Sequence, residues 1–229
     1  MTYSYPEPSV IVFGGMAAIA IGVAMLVLWL VQRSAPRLMT RFAVGIVAMM
    51  LLQLGLAEAG VLRHWKVFPP PIVPLLLVTF ALTVYAALGP AGKTLASASP
   101  FSVLVGFQFF RLPLELLMHQ AAIEGVMPSV MSYSGYNFDI LSGLTALPLA
   151  WLTHKHLAPR WLLLCWNAMG SFLLAVIVGI AIAATPVVKA FGPEQLNVWV
   201  ADVPFVWLPG VMVQAALFGH LLVWQKLRS

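Results

Sequence analysis

Four polar side chains in one apolar stretch have the spacing of a single helical face. Gln108, Arg111, Glu115 and His119 are separated by three, four and four residues, the intervals at which side chains of an α-helix lie above one another. A row of this composition can bind a small ion, relay protons, or serve as acid and base on a substrate. These four residues are the first candidates for ligand binding.

The apolar surroundings of this row determine which way it must face. A charged side chain near the bilayer centre costs about 2.5 to 3.5 kcal/mol on insertion scales, so Arg111 and Glu115 are expected to face the bundle interior or an aqueous cavity. Their spacing predicts a salt bridge between them. Pro113 lies between them and leaves the Phe109 carbonyl without its helical partner, which predicts a kinked helix. A purely structural ion pair is the alternative interpretation.

Other acids are expected near the same end of the bundle. Glu58 closes the second apolar segment and Asp139 opens the fifth, so both are candidate ligand-binding residues. Further polar groups on that side are Gln53, Glu124, Ser142 and Asp202. Several carboxylates and an imidazole could together hold a hard cation, relay protons or carry out acid–base chemistry. Water-exposed helix ends would explain Glu124, Asp139 and Asp202 equally well.

The elements that must position these residues are membrane helices. Of 229 residues, 62% are hydrophobic and 8% are Asp, Glu, Lys or Arg, against about 25% charged residues in a soluble domain. Seven apolar stretches approach the roughly 20 residues needed to cross a bilayer, at residues 10–31, 42–62, 72–88, 101–126, 138–153, 161–184 and 205–224. The sequence predicts an all-α bundle of seven transmembrane helices forming one domain over residues 1–229.

Charge asymmetry predicts the orientation of this bundle. Alternate ends of the segments carry eight and three Lys or Arg residues, the eight being Arg33, Arg37, Arg41, Lys93, Lys155, Arg160, Lys226 and Arg228, and the three Arg63, Lys66 and Lys189. Because basic residues concentrate in cytoplasmic loops, the N-terminus is expected outside and the C-terminus in the cytoplasm. The positive net charge then needs no nucleic-acid partner.

Several chemistries known from membrane proteins lack their signatures. The seventh segment has no Lys before Lys226, which excludes a retinal Schiff base, and no metalloprotease, serine-hydrolase or phosphate-loop motif occurs. Five histidines raise the question of a haem, but none pair at matched depth on two helices. A single haem or quinone stays open, and no cofactor is named. His220 is interpreted as a hydrogen-bonded histidine of the bundle.

Three stretches of the sequence are similar to a known group of membrane proteins. Residues 111–115 (RLPLE), 137–146 (NFDILSGLTA) and 204–210 (PFVWLPG) resemble an uncharacterised family of bacterial polytopic membrane proteins. The similarity runs from about residue 101 to the C-terminus. It implies a multi-pass membrane protein, and it implies no activity, cofactor or partner.

Three functions follow from these observations. The first is an inner-membrane protein whose outward-facing polar cavity, centred on Arg111, Glu115 and His119, binds or conducts an ion, protons or a small polar ligand. The second is a membrane-embedded enzyme, acid–base or metal-dependent, using Glu115 and His119. The third is an accessory subunit whose polar row contacts another membrane subunit. The expected partners are the lipid bilayer and a small ligand.

Overall fold

The computed structural model describes residues 5–228, and in this range the chain is helical with no strand. The α-helices are α1 (Val10–Ser34), α2 (Met39–Glu58), α3 (Ile72–Leu88), α4 (Pro90–Ala98), α5 (Phe101–Gly106), α6 (Arg111–Ile123), α7 (Ile140–His154), α8 (Arg160–Ala183) and α9 (Val213–Arg228). Each of the seven predicted apolar segments contains one or more of these helices.

The lengths of these helices limit how many can span a bilayer. Five segments are long and apolar enough: Val10–Ser34, Pro36–Glu58, Phe101–Ile123, Arg160–Ala183 and Leu208–Arg228. A sixth arises if α3 and α4, bent by 54° where they meet, count as one span. With 15 residues, α7 is shorter than the usual span of about 20. The all-helical fold, with five or six segments long and apolar enough to cross a membrane, is confirmed, whereas seven spans and the orientation of the termini stay predictions.

Two helices have irregular turns where proline interrupts the hydrogen-bond ladder. A 3-10 turn at Phe107–Phe110 joins α5 to α6, one turn before Pro113, so the predicted interruption of this segment is present. A π-helical turn at Leu208–Met212, containing Pro209, precedes α9. Such turns occur where a proline removes a backbone donor, and they are frequent at functional sites.

The helix α9 lies at the centre of the bundle. It packs most extensively on α3 and α8 and also contacts α4 and α5, while α7 packs on α5 and α6. Its inward face carries buried apolar residues such as Phe218 and Leu222. The polar side chains buried on α6, α7, α8 and α9 therefore meet inside the packed helices.

Candidate functional site

Arg111 is the centre of a buried polar cluster. It begins α6, and only 1% of its surface is exposed. Its guanidinium binds Asp139 through two nitrogens, with Nε 2.8 Å from Oδ2 and Nη2 on Oδ1. Its Nη1 lies 2.8 Å from Nε2 of His220. The guanidinium thus joins α6 to the start of α7 and to α9.

This pairing differs from the predicted one. The spacing on α6 predicts an Arg111–Glu115 salt bridge, whereas the arginine binds Asp139 on the neighbouring helix. Asp139 is the N-cap residue of α7, yet its side chain caps no amide of that helix. Its carboxylate is therefore free for Arg111, in a position where the positive end of the helix dipole also favours negative charge.

The helices α6 and α7 can make this contact because their backbones touch. A Cβ atom at Gly143 would collide with the backbone of Arg111 and Leu112. Asp139 lies one turn before Gly143 on α7, at the point where the two helices are closest. Glycine at position 143 therefore sets the distance across which the ion pair forms.

Glu115 lies one turn beyond Arg111 and has an amide as its partner. Asn137 donates from Nδ2 to Oε2 of Glu115 at 2.7 Å and to the Met131 carbonyl at 3.0 Å. The Oδ1 of Asn137 accepts the backbone N–H of Asp139. Asn137 thus connects the carboxylate of Glu115 to the backbone of Asp139, and within residues 5–228 Glu115 forms no ion pair.

The chemistry of arginine fixes the tautomer of His220. A guanidinium only donates hydrogen bonds, so Nε2 of His220 must accept from Arg111. The proton is therefore on Nδ1, which donates to Oδ1 of Asn167 at 2.7 Å. Asn167 in turn donates to the backbone carbonyl of His220 at 3.1 Å. His220 is a hydrogen-bonded histidine of the bundle, as predicted, and it is neutral in this arrangement.

The other candidate residues lie at different distances from the cluster. Gln108 is buried and donates to the carbonyl of Ala216 at 2.9 Å. His119 is half-buried, stacks on Tyr133 with ring centroids 4.2 Å apart, and has Ser134 Oγ 3.4 Å from Nδ1. Among the described residues it contacts no carboxylate, so the proposed acid–base pair with Glu115 has no direct hydrogen bond to support it.

Glu58 is exposed and belongs to a separate cavity at the N-terminal end of the bundle, the end at which Tyr5 lies. This cavity has a volume of about 520 Å³ and is lined by charged residues that include Glu7, Glu58, Arg63, Lys66 and Asp202. A polar cavity therefore exists at the end with Glu58, but none of its described lining residues belongs to the Arg111 cluster, on which the predicted cavity is centred. That cluster is enclosed, with Glu115 2% and Asp139 4% exposed.

An ion pair holds the wall of this cavity. Arg63 binds Asp202, and the hydroxyl of Tyr5 donates to the same carboxylate at 2.8 Å. The hydrogen bond to Asp202 raises the pKa of Arg63. Burial, with the hydrogen bond to Asp202, raises the pKa of Tyr5 well above its ordinary value. The two contacts join the segment before α1 and the turn after α2 to the segment before α9.

The raised pKa of Tyr5 gives a testable pH dependence. The folded protein favours the neutral phenol, so the contribution of Tyr5 to stability is complete below its unfolded pKa of about 10 and is lost at higher pH. We expect wild-type protein and Tyr5→Phe to show the same tyrosinate absorbance up to about pH 11, because Tyr5 stays protonated. A larger absorbance rise in the wild type over this range would contradict the assignment.

The candidate site predicted from the sequence leaves out three members of the cluster, Asn137, Asn167 and His220. Asn167 is a single amide in the otherwise apolar first half of α8, and Gly170, one turn later, leaves room for the His220 ring. Asn137 follows a loop rich in serine and tyrosine. The available signal for Asn167 is an amide in an apolar helix one turn before a glycine on the same face, because an unpartnered amide is costly in lipid.

The described residues contain no metal-binding group, and the comparisons with known proteins give no match. Within residues 5–228, no three His, Cys, Asp or Glu side chains are grouped so that they could hold a metal ion. No protein-family model, curated protein or solved structure matches the chain, so its function must be inferred from the geometry of the Arg111 cluster.

Proposed function

We propose that the protein binds a proton or a small cation at Glu115, inside the helix bundle. The ion exchanges with the solution at the N-terminal end of the bundle. The observation that carries this proposal is the charge of the buried cluster. Arg111 is its one cation, Asp139 and Glu115 are two carboxylates, and His220 is neutral because it accepts from Arg111. One positive charge is therefore missing if both acids are ionised.

A buried carboxylate without a compensating positive charge is strongly unfavourable in a membrane. An uncompensated buried carboxylate costs several kcal/mol even after the protein relaxes, with little water present to reduce it. A proton on the carboxyl group or a cation beside it restores neutrality. Glu115 is the site of uptake because both oxygens of Asp139 are engaged by Arg111, whereas Glu115 accepts one hydrogen bond from an amide.

The route of exchange leads towards the N-terminal end. His119 lies one turn beyond Glu115 on α6 and is half-buried. An imidazole accepts a proton at one ring nitrogen and donates one from the other, so His119 is suited to pass a proton between the surface and Glu115. The loop residues Tyr133 and Ser134 contact its ring and would have to move for a larger ligand to enter.

The proposal includes the seven-span topology in a bacterial inner membrane. Supporting it are the basic residues, eight at one set of helix ends and three at the other, which favour an external N-terminus. With 15 residues, α7 would extend over about 22 Å, and the preceding residues 137–139, of which Asn137 and Asp139 are buried, would lengthen it at its outer end.

Infrared difference spectroscopy tests uptake at Glu115. In a pH titration of the purified protein, we expect a band from a protonated carboxylic acid that disappears in Glu115→Gln. The matched control is Glu124→Gln, since Glu124 is on the surface at the end of α6, where hydrogen bonds from Gln120 and Ser9 lower its pKa. That variant should keep the band.

A sodium titration separates the two ligands. If sodium binds in place of the proton, adding sodium chloride at constant ionic strength should remove the carboxylic acid band in the wild type. If the site takes only protons, the band should be insensitive to sodium. A spectrum without any band that depends on Glu115, with or without sodium, would overturn the proposal.

A further inference from the structure

A second cavity lies at the C-terminal end of the bundle, the end at which Arg228 lies. It has a volume of about 800 Å³ and is formed where α1, α7 and α9 end and where α5 and α8 begin. Its charged and aromatic lining residues are Arg33, Phe101, His154, His156, Arg160 and Lys226. Apolar side chains such as Val103 and Leu163 complete the wall.

The described lining residues of this cavity carry positive charge. None of its described lining residues is acidic. The seven acids of the chain are Glu7, Glu58, Glu115, Glu124, Asp139, Glu194 and Asp202, and these are the residues of the Arg111 cluster or of the N-terminal end and its loops. Arg33 and Arg160 form no ion pair with a described residue, so their charges are balanced by helix carbonyls, which carry only partial charge, or by an anion from outside.

The basic side chains of this cavity are held by contacts that leave some of their N–H donors available. Arg160 donates one hydrogen bond to the carbonyl of Leu227, and a guanidinium has five N–H donors. Arg33 stacks on the ring of Trp29 at 5.6 Å, a contact through its face that leaves the edge donors available. Lys226 donates to carbonyls at the end of α4 and lies over Phe101. These contacts hold all three charges at the rim.

We infer that this cavity binds the phosphate group of an anionic phospholipid. Two arginines match the oxygens of a phosphate in fork geometry, and the cavity lies at helix ends, at the depth where headgroups lie. The apolar wall beside the basic rim suits a glycerol backbone and the first carbons of an acyl chain. Basic pockets between transmembrane helices bind such headgroups in general. The inference is independent of uptake at Glu115.

The test measures lipid binding to the full-length protein in neutral detergent by native mass spectrometry. Phosphatidylglycerol is the anionic probe and phosphatidylcholine the zwitterionic reference. The cavity variant is Arg33→Gln with Arg160→Gln, and the matched control is Arg37→Gln with Arg41→Gln. The control removes the same charge from exposed residues at the same end that do not line the cavity. We expect about a tenfold loss of phosphatidylglycerol affinity in the cavity variant and less than about twofold in the control.

Inorganic phosphate separates the two sources of this chemistry. If millimolar phosphate displaces phosphatidylglycerol from the wild type, a free phosphate compound is the ligand and the anion site stands. If phosphate has no effect at constant ionic strength, the lipid is the ligand. Equal losses in the cavity variant and the control, or equal affinity for both lipids, would overturn the inference. Should the double variant fail to fold, Arg33→Gln alone, which leaves the Arg160 hydrogen bond intact, should show the same direction of change.

Discussion

Replacing Arg111 by methionine should destabilise the protein by about 3 to 5 kcal/mol, the cost of removing one partner of a buried ion pair. The single change leaves Asp139 and Glu115 in the bundle with no cation. Replacing Arg111 and Asp139 together, by methionine and leucine, should cost less, because one uncompensated charge leaves with its partner. Asp139→Asn alone should be milder than Arg111→Met, since the arginine can then compensate Glu115. Unfolding in mild detergent, arranged as a double-mutant cycle, measures these differences.

The other ion pair of the described chain supplies the control. Arg63 pairs with Asp202, but 65% of the Arg63 side chain is exposed, so Arg63→Met should cost less than about 1 kcal/mol. Strictly additive losses for Arg111 and Asp139 would show that the buried pair does not couple. A loss at Arg111 no larger than that at Arg63 would show that the cluster carries no special energetic weight.

The sequence predicts well those features that one helix can display alone. Every predicted apolar segment overlaps a helix. Arg111 and Glu115 are buried because exposing a charged side chain to lipid is unfavourable. The interruption near Pro113 follows from the missing N–H of proline. His220 is hydrogen-bonded within the bundle because a buried imidazole needs partners.

The sequence predicts poorly those features that depend on which helices are neighbours. Arg111 and Glu115 are four residues apart, but the arginine reaches Asp139 on α7. The spacing on α6 says nothing about the contact through Gly143 that brings α7 within reach. A carboxylate at a helix start can receive two guanidinium hydrogen bonds, a geometry that an i,i+4 pair on one helix seldom allows.

The cavity at the N-terminal end lies apart from its predicted position at Arg111 for the same reason. The acids of several segments lie at one end, and a single cavity reaching Arg111 was expected. The structure separates them into the cavity with Glu58 and Asp202 and the enclosed cluster with Glu115 and Asp139. The loop carrying Tyr133 packs on His119, a tertiary contact with no periodic signal in the sequence.

The contact between α6 and α7 can itself be tested at Gly143. A methyl group there would collide with the backbone of Arg111 and Leu112, and backbone atoms cannot turn aside as a side chain can. Gly143→Ala should therefore separate the helices and destabilise the protein by about 1 to 3 kcal/mol. Gly22→Ala on α1 is the control, because a Cβ atom there would meet nothing within 4 Å, and alanine favours the helix by about 1 kcal/mol.

The consequence for the ion pair distinguishes this contact from ordinary crowding. Asp139 lies four residues before Gly143, so separating the helices should draw its carboxylate away from Arg111. Asp139→Asn should then cost clearly less in the Gly143→Ala background than in the wild type, because the interaction it removes is already weakened. Equal costs of Asp139→Asn in both backgrounds would mean that the ion pair forms whether or not the helices touch at Gly143. A stable Gly143→Ala variant would contradict the close approach of α6 and α7 directly. It would also contradict our explanation of why Arg111 pairs with Asp139 and not with Glu115.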